Sequence, residues 1–287
     1  MKNFMKISAL SSAIALAFLA VSCGPKSAPV SETDLEKYEL KGPVASVRST
    51  SYKVDSTAKK PYKVAEVEAS SNNVYVEFND FGMATRLERF NRAGKVVSIQ
   101  ESEYNENGQI TRSCITNPEG DVTETTVYKY KRGRLAEMTT TDAQDSLKKH
   151  EVYKYYDRDS VVATFSYKED KTAGRRVSKY DENGYNYATV TYSNKDKVLS
   201  EFLMEHDEAG RNVAINSENV FFGKLDSEIK YNEDGFRSEM LLKGKSAETV
   251  FRFEYELDAN GNWTKKITYK DDAERPIRIE MRKIEYR

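Results

Sequence analysis

The five residues Y-D-E-N-G at 180–184 explain how this chain is built, because close variants recur along it. Y-N-E-N-G stands at 104–108, H-D-E-A-G at 206–210 and Y-N-E-D-G at 231–235. A mostly aromatic column leads these copies at steps of 24 to 26 residues: Phe78, Tyr104, Tyr130, Tyr156, Tyr180, His206, Tyr231 and Leu257. Such regular self-similarity indicates an internal repeat.

Each copy fits a hairpin turn. Asp or Asn at the first turn position accepts bonds from backbone groups two residues on, and Gly at the fourth tolerates positive φ. The predicted structural turn residues are Asn105, Gly108, Asp181, Gly184, Asp207, Gly210, Asn232, Gly235, Asp258 and Gly261. A calcium loop is the alternative, but Ca²⁺ takes about six to eight oxygen ligands, and neither an EF-hand glutamate nor flanking helices are visible.

The spacers between turns alternate like strands. In F-R-F-E-Y-E-L at 251–257 the apolar and charged residues fall on opposite faces. A second, looser set of turn signals lies about half a period away, at 90–94, 117–120, 142–146, 192–196 and 269–273. We therefore predict an all-β single domain over 36–287, with regular repeats from about residue 70. It is a long antiparallel meander of about 16–18 short strands, built from β-hairpin repeats of about 26 residues, in a curved or partly rolled sheet. The last strand, at 277–286, is expected to leave a free edge for a partner strand.

The N-terminal residues predict a lipoprotein. Residues 1–22 combine Lys2 and Lys6 with an apolar stretch, as a signal peptide does. L-A-V-S-C at 19–23 resembles the lipobox of bacterial lipoproteins, so we expect Cys23 to be lipidated and 23–35 to form a flexible tether. Ordinary signal-peptidase cleavage is the alternative. Gly24 after the cysteine points to the outer membrane, with a periplasm-facing domain favoured and surface exposure left open.

The repeat resembles the YD repeats of Rhs-type proteins over roughly residues 70–287. The matching stretches are Y-N-E-N-G-Q-I-T-R at 104–112, Y-D-E-N-G at 180–184 and H-D-E-A-G-R-N at 206–212. The resemblance implies an antiparallel β-meander, which in those much larger proteins curls into a shell around a toxin. L-K-G-P-V-A-S-V at 40–47 is similar to small repeat lipoproteins of Bacteroidetes-type bacteria, a group of unassigned role.

The sequence contains few signs of catalysis. The chain has 45 basic and 46 acidic side chains, so we expect no nucleic acid partner. Its histidines are His150 and His206, and no phosphate loop or paired-cysteine metal spacing occurs. We predict no cofactor, no metal and no catalytic residue. Trp263 and the 19 tyrosines could stack on sugar rings, but packing across hairpins is favoured.

The sequence thus predicts a cell-envelope lipoprotein that acts as a non-catalytic binding or scaffold module. Its partners would be the membrane, through the N-terminal lipid, and an envelope protein or glycan; the ligand-binding residues stay unknown. The alternative is an envelope enzyme acting on glycan with an unrecognised Asp/Glu pair, because such pairs have no sequence motif.

Overall fold

The computed structural model describes residues 33–54, 64–156, 159–168 and 171–287. Cys23, the signal segment and most of the tether lie outside the described residues, as do residues 157–158, where the sequence predicts a turn. The described ranges contain one short helix, α1 (Asp34–Lys37), and no helix with the length and apolarity of a membrane span. The strands are β1 (Val44–Val54), β2 (Val64–Val67), β3 (Val74–Phe78), β4 (Ala84–Phe90), β5 (Val96–Tyr104), β6 (Ile110–Thr116), β7 (Val122–Lys131), β8 (Arg134–Asp142), β9 (Leu147–Tyr156), β10 (Ser160–Lys168), β11 (Lys171–Tyr180), β12 (Asn186–Ser193), β13 (Val198–His206), β14 (Asn212–Asn219), β15 (Gly223–Tyr231), β16 (Arg237–Gly244), β17 (Glu248–Leu257), β18 (Trp263–Lys270) and β19 (Arg278–Tyr286).

These strands form one antiparallel sheet that closes on itself. From β3 to β19 each strand pairs with its neighbours in sequence. Strand β1 pairs with β3 on one side and with β19 on the other, and the short β2 pairs with the later part of β1. Eighteen of the 19 strands therefore complete a ring. The predicted all-β antiparallel meander is confirmed, and its rolling goes to full closure.

The expected free edge at the last strand is wrong. Strand β19 pairs with β1 from Val44↔Tyr286 to Lys53↔Arg278. Closure gives the backbone N–H and C=O groups of both terminal strands a partner, which an open sheet leaves to water. The hairpin repeats are local, whereas this pairing joins the two ends of the chain, so no local sequence pattern predicts it.

The hairpin turns repeat one geometry. The carboxylate of Asp181 accepts the N–H groups of Asn183 (2.9 Å) and Tyr185 (2.9 Å). Gly184 has φ of +88° and donates its N–H to the carbonyl of Asp181 at 3.1 Å. The register shifts by one residue at Tyr180, as in a bulged type I hairpin. Side-chain oxygens accept backbone N–H groups in the same way at Asn79, Asn105, Asp207, Asn232 and Asp258.

Because antiparallel strands alternate in direction, all turns that follow the aromatic column lie at one end of the sheet. We call it the repeat end. The looser set of turns lies at the far end and uses the same bonding at Asn91, Asp142 and Ser193. There Asp145 and Asp196 adopt φ of +58°, where the repeat end has Gly.

The apolar core is small, and it lies close to the repeat end. Its buried members are Leu40, Val44, Val47, Val74, Val76 and Phe78. Elsewhere the buried residues of the sheet are largely polar, and Thr126 and Thr140 share a hydrogen bond of 2.9 Å. Tyrosines supply much of the remaining packing, since their rings are half-buried and four hydroxyls donate to backbone carbonyls: Tyr104 to Ala84, Tyr155 to Leu135, Tyr231 to Asn212 and Tyr255 to Arg237. Burial raises the pKa of Tyr104 to about 12. For these four tyrosines, packing describes the role better than sugar stacking does.

Candidate functional site

The residues before β1 cross the repeat end, and we call residues 33–43 the N-terminal segment. Thr33 and Glu36 form a capping box around α1. The carboxylate of Asp34 accepts the N–H of Ala84 at 2.8 Å, and Leu35 donates its N–H to the carbonyl of Gly82 at 3.0 Å. Thr33–Leu35, which were predicted to lie in the tether, thus belong to the folded part.

The other side of the N-terminal segment is fixed by Asn262, which is fully buried. Its Oδ1 accepts the N–H of Lys41 at 2.6 Å, and its Nδ2 donates to the carbonyl of Lys41 at 2.8 Å. Lys41 also donates from Nζ to the carbonyl of Asp234 at 2.9 Å and lies 4.8 Å above the Phe236 ring. The segment is therefore held at both ends across the mouth of the closed sheet.

A groove of about 550 Å³ lies between this segment and the turns after β11, β13 and β15, and we call it the mouth groove. Tyr185 stacks on His206 with ring centroids 5.4 Å apart, and Arg211 lies 4.4 Å above the Tyr231 ring. Besides Tyr185, Arg211 and Tyr231, the lining residues are Glu36, Lys37, Glu39, Leu40, Lys41, Ala209, Gly210, Asn212, Asp234, Gly235, Phe236 and Arg237. Aromatic rings and fixed cations side by side are suited to binding sugars or polar peptide surfaces.

On its inner side the N-terminal segment covers a second cavity of about 290 Å³, which we call the inner pocket. Its lining residues are Lys37, Tyr38, Glu39, Ser49, Ser71, Asn72, Val74, Arg237, Trp263, Lys266, Glu280 and Arg282. Glu280 pairs with Lys266 at 2.7 Å, and the indole N–H of Trp263 donates to Glu39 at 3.0 Å. The guanidinium of Arg282 lies 3.4 Å above the Trp263 ring.

A third cavity of about 610 Å³ lies beside the turn between β7 and β8. Its cations are Lys131, Arg132 and Arg134, and Arg134 lies 5.1 Å above the Tyr155 ring. All three basic residues are exposed, so this cavity is an open depression on the surface.

Two buried carboxylates bear on the enzyme alternative. Glu151 is 1% exposed and lies between Lys149 at 3.1 Å and Arg176 at 3.4 Å. For Glu280, burial acts to raise the pKa, but Lys266 and Asn72 outweigh it and the pKa is lowered. The general acid of a glycosidase needs a raised pKa. The pKa of Glu280 is instead lowered, and among the described residues no cluster of His, Cys, Asp and Glu is arranged to hold a metal.

The predicted turn residues are spread around the ring, and only some reach a cavity. Gly210 and Gly235 line the mouth groove. Asn105 and Gly108 lie in a hairpin whose residues line none of the three cavities, whereas Asp181 and Gly184 lie in the turn that also contains Tyr185, a lining residue of the mouth groove. His150 bonds through Nδ1 to the hydroxyl of Thr139 at 3.0 Å, and Cys114 Sγ lies 3.5 Å from the hydroxyl of Thr125.

Sequence reasoning missed Glu39, Asn262, Lys266, Glu280 and Arg282. They come from both ends of the chain and follow no short motif, so only the closed sheet brings them together. The sequence contains one weak indication of this cluster, which is a charged residue at a strand position that faces the inside of the ring. Lys266 and Glu280 are such residues, and they are directly paired between β18 and β19.

Comparison with known proteins assigns the chain to no family. No family model matches, and neither does any curated protein. A porin-like protein from Bacteroides uniformis is 13% identical, with a TM-score of 0.44, over 85% of this chain and 98% of that one. The Tc holotoxin pore of Photorhabdus luminescens is 11% identical, with a TM-score of 0.31, over 80% of this chain and 16% of that one. At these scores neither likeness carries an argument about function.

Proposed function

We propose that the protein is a non-catalytic binding module of the bacterial cell envelope, anchored by lipid on Cys23. It would bind an envelope protein or glycan in the mouth groove. One observation carries the proposal: aromatic rings and cations are held in place around a preformed groove at the end where the N-terminal segment lies. A preformed groove binds without the cost of ordering its own side chains.

The position of the N-terminal segment supports an envelope role for this groove. Thr33 lies at the repeat end beside Gly82, and its N–H donates to the carboxylate of Glu36 at 2.7 Å. From Cys23 to Thr33 the chain can extend at most about 35 Å, at about 3.5 Å per residue. A lipid on Cys23 would therefore keep Thr33 within that distance of the membrane, and so turn the end of the sheet that contains the mouth groove toward envelope polymers and membrane proteins.

The hairpin geometry also supports placing the chain with YD-repeat lipoproteins. The turn bonding recurs at both ends of the sheet, as a chain made of hairpin units requires. The outer membrane, facing the periplasm, is the location we propose on the basis of Gly24 and the lipobox-like L-A-V-S-C.

Capture from the protein's own envelope tests the binding role. The intact lipoprotein and a Tyr185→Ser variant are used for pull-down, with muropeptide and polysaccharide arrays beside them. Tyr167→Ser is the matched control, since Tyr167 is 54% exposed on β10 and is absent from the groove lining. We expect Tyr185→Ser to weaken capture and Tyr167→Ser to retain it. Turnover of a glycan that one Asp or Glu substitution abolishes would establish the enzyme alternative.

Metabolic labelling with a fatty-acid probe tests the anchor. Cys23→Ala should abolish labelling, while Cys114→Ala should leave it unchanged. Protease shaving of whole cells then separates a periplasmic domain from an exposed one. Labelling that persists in Cys23→Ala would refute the lipoprotein assignment and would leave the binding role of the mouth groove unaffected.

A further inference from the structure

Two side chains that line the inner pocket, Arg282 and Ser49, have polar atoms that no protein atom satisfies. Arg282 Nε and Nη1 are enclosed from solvent and have no hydrogen-bond partner, and the hydroxyl of Ser49 is in the same state. Ser49 lies directly opposite Arg282 across the β1–β19 seam. Ser51, two residues along β1 and opposite Glu280, also has a buried unpaired hydroxyl. Buried polar groups are almost always satisfied, so a cluster of unsatisfied ones indicates a missing bonding partner.

The acidic groups of the pocket are already engaged and do not fill that role. Glu280 is paired with Lys266 at 2.7 Å and accepts a bond from Asn72 at 2.5 Å. Glu39 accepts the indole N–H of Trp263 at 3.0 Å. Among the described residues, Arg282 forms no ion pair within 4.0 Å. The pocket is lined by four basic and two acidic side chains, which leaves it a surplus of two positive charges.

A guanidinium is suited to one class of ligand. Its two planar forks, Nε with Nη2 and Nη1 with Nη2, match the paired oxygens of carboxylate, phosphate and sulfate groups. Each fork of Arg282 contains one of the enclosed unpaired donors. The indole of Trp263 covers one face of the guanidinium and holds it in position. Burial lowers the pKa of Arg282 to about 10, so the group stays charged at neutral pH.

We propose that the inner pocket is a binding site for a small oxyanion, held by Arg282 and the hydroxyl of Ser49. The cavity of about 290 Å³ has room for a carboxylate-, phosphate- or sulfate-bearing molecule of the size of a single sugar acid. This site is separate from the mouth groove and does not depend on what the groove binds.

The site carries its own reporter, since Trp263 is the only tryptophan in the chain. The purified full chain is titrated at constant ionic strength with inorganic phosphate, sulfate and galacturonate, and with galactose as the uncharged arm. We expect a saturable change in tryptophan emission with at least one of the three anions and none with galactose. The order among the anions shows whether a phosphate, sulfate or sugar carboxylate is preferred.

The variants separate the site from general charge effects. Arg282→Met keeps a side chain over the indole and should weaken the preferred anion at least ten-fold, while Arg282→Lys should fall between it and the wild type. Arg48→Met is the matched control, because Arg48 also stacks on a ring, 4.2 Å above Phe90, but is exposed. It should bind as the wild type does.

A crystal of the wild-type protein soaked in selenate gives a test that needs no variant. An anomalous peak within hydrogen-bonding distance of Arg282 Nη1 is expected. Three results would overturn the proposal: no saturable emission change with any of the anions, no selenate peak at Arg282 although sulfate changes the emission, or equal affinity in folded Arg282→Met. The first would mean that the pocket holds water only, and the other two that the anion binds elsewhere.

Discussion

At the scale of single residues, the turns show why Gly and Asp recur together. Asp181 takes up two backbone N–H groups that would otherwise face water, and Gly184 adopts a φ that L-residues with a Cβ avoid. The pattern thus recurs because each repeat contains a bulged hairpin, and each such hairpin requires these residue types at the same positions. Substitutions at these turn residues should lower stability by amounts that depend on what surrounds each residue.

Two glycines with similar φ differ in what surrounds them. Gly210 has φ of +79°, and a Cβ there would lie 2.2 Å from the Tyr185 ring, whereas Gly94 has φ of +70° and open space. Gly94→Ala should lower the free energy of unfolding by about 1 kcal/mol from backbone strain alone. Gly210→Ala should lose about 2–4 kcal/mol, because the ring must also move. Urea unfolding measures both, and equal losses would contradict the clash.

The first turn residue can be tested in the same way. Asp181→Ala removes the acceptor for two backbone N–H groups and should cost about 1 kcal/mol, as the loss of a helix N-cap does. Asp181→Asn is the control and should cost only a few tenths of that, since Asn105 accepts the same bonds natively.

Calcium or a chelator should leave the thermal midpoint of the wild type unchanged. A calcium-dependent midpoint would restore the metal interpretation.

Two lysine–glutamate pairs with the same N–O distance lead to a prediction about how stability depends on pH. Glu280–Lys266 is buried and Glu256–Lys265 is exposed, each at 2.7 Å. The pKa of Glu280 is lowered below its ordinary value of 4.5. A lowered folded-state pKa stabilises the protein fully above the unfolded value, and that contribution is lost as pH falls through the folded one.

The stability difference between the wild type and Glu280→Gln should therefore be largest near about pH 6 and shrink toward about pH 3. Glu256→Gln should differ little from the wild type throughout, because surface pairs contribute only about 0–1 kcal/mol. Thermal unfolding across this pH range gives both curves. A Glu280→Gln difference that does not change with pH would show that its ion pair is not the cause.

At the scale of elements, the N-terminal segment is the part of the chain that makes one end of the sheet different from the other. Leu35 of the segment contacts the turn after β3, and Lys41 of the segment contacts Asn262 in the turn after β17. It also separates the mouth groove from the inner pocket, because Lys37 and Glu39 line both. A segment without strand or long helix thus shapes both candidate sites.

Asn262 is the residue whose loss should release this segment. Asn262→Ala leaves the N–H and carbonyl of Lys41 without their side-chain partner, which should cost about 1–3 kcal/mol. Limited proteolysis should then cut within 33–43 faster than in the wild type. Asn107→Ala, at an exposed position of an equivalent turn, is the control and should leave the cleavage rate unchanged. Cleavage that is equally slow in Asn262→Ala would mean that the Asp34 side alone holds the segment.

At the scale of the whole molecule, closure is the property with the widest consequences. It removes both sheet edges, so the protein cannot recruit a partner by adding a strand at β19. It also creates an inner face, on which charged and hydroxyl groups such as Glu151 and Thr140 are buried. Binding must then use the ends of the ring or its surfaces.

A cysteine pair across the seam tests closure. Thr50 and Met281 are direct partners in the β1–β19 pairing, and directly opposed residues lie about 4.5–5.5 Å apart between Cα atoms. Thr50→Cys with Met281→Cys should oxidise to an intramolecular disulfide, seen by peptide mass spectrometry. Thr50→Cys with Leu203→Cys on β13 should not. Absence of the first cross-link in folded protein would indicate an open sheet.

The sequence by itself determined the strands, their order and the turns. Those features depend on residues a few positions apart: side-chain alternation follows the two-residue period of a strand, and a hairpin needs only Asp or Asn and Gly at fixed offsets. The aromatic column could be recognised in the same way, but its contacts could not, because Tyr104 donates to Ala84 and Tyr231 to Asn212, each in the preceding repeat.

Only the tertiary structure decided that the ring closes, where the N-terminal segment lies and what the inner pocket contains. Ser49 and Arg282 meet only because β1 pairs with β19, and Asn262 binds Lys41 across 221 residues of sequence. Such contacts depend on the accumulated twist and curl of eighteen strands, to which every repeat contributes a little. A periodic sequence specifies each hairpin well, but the sum of small rotations that brings its two ends together is a property of the whole sheet.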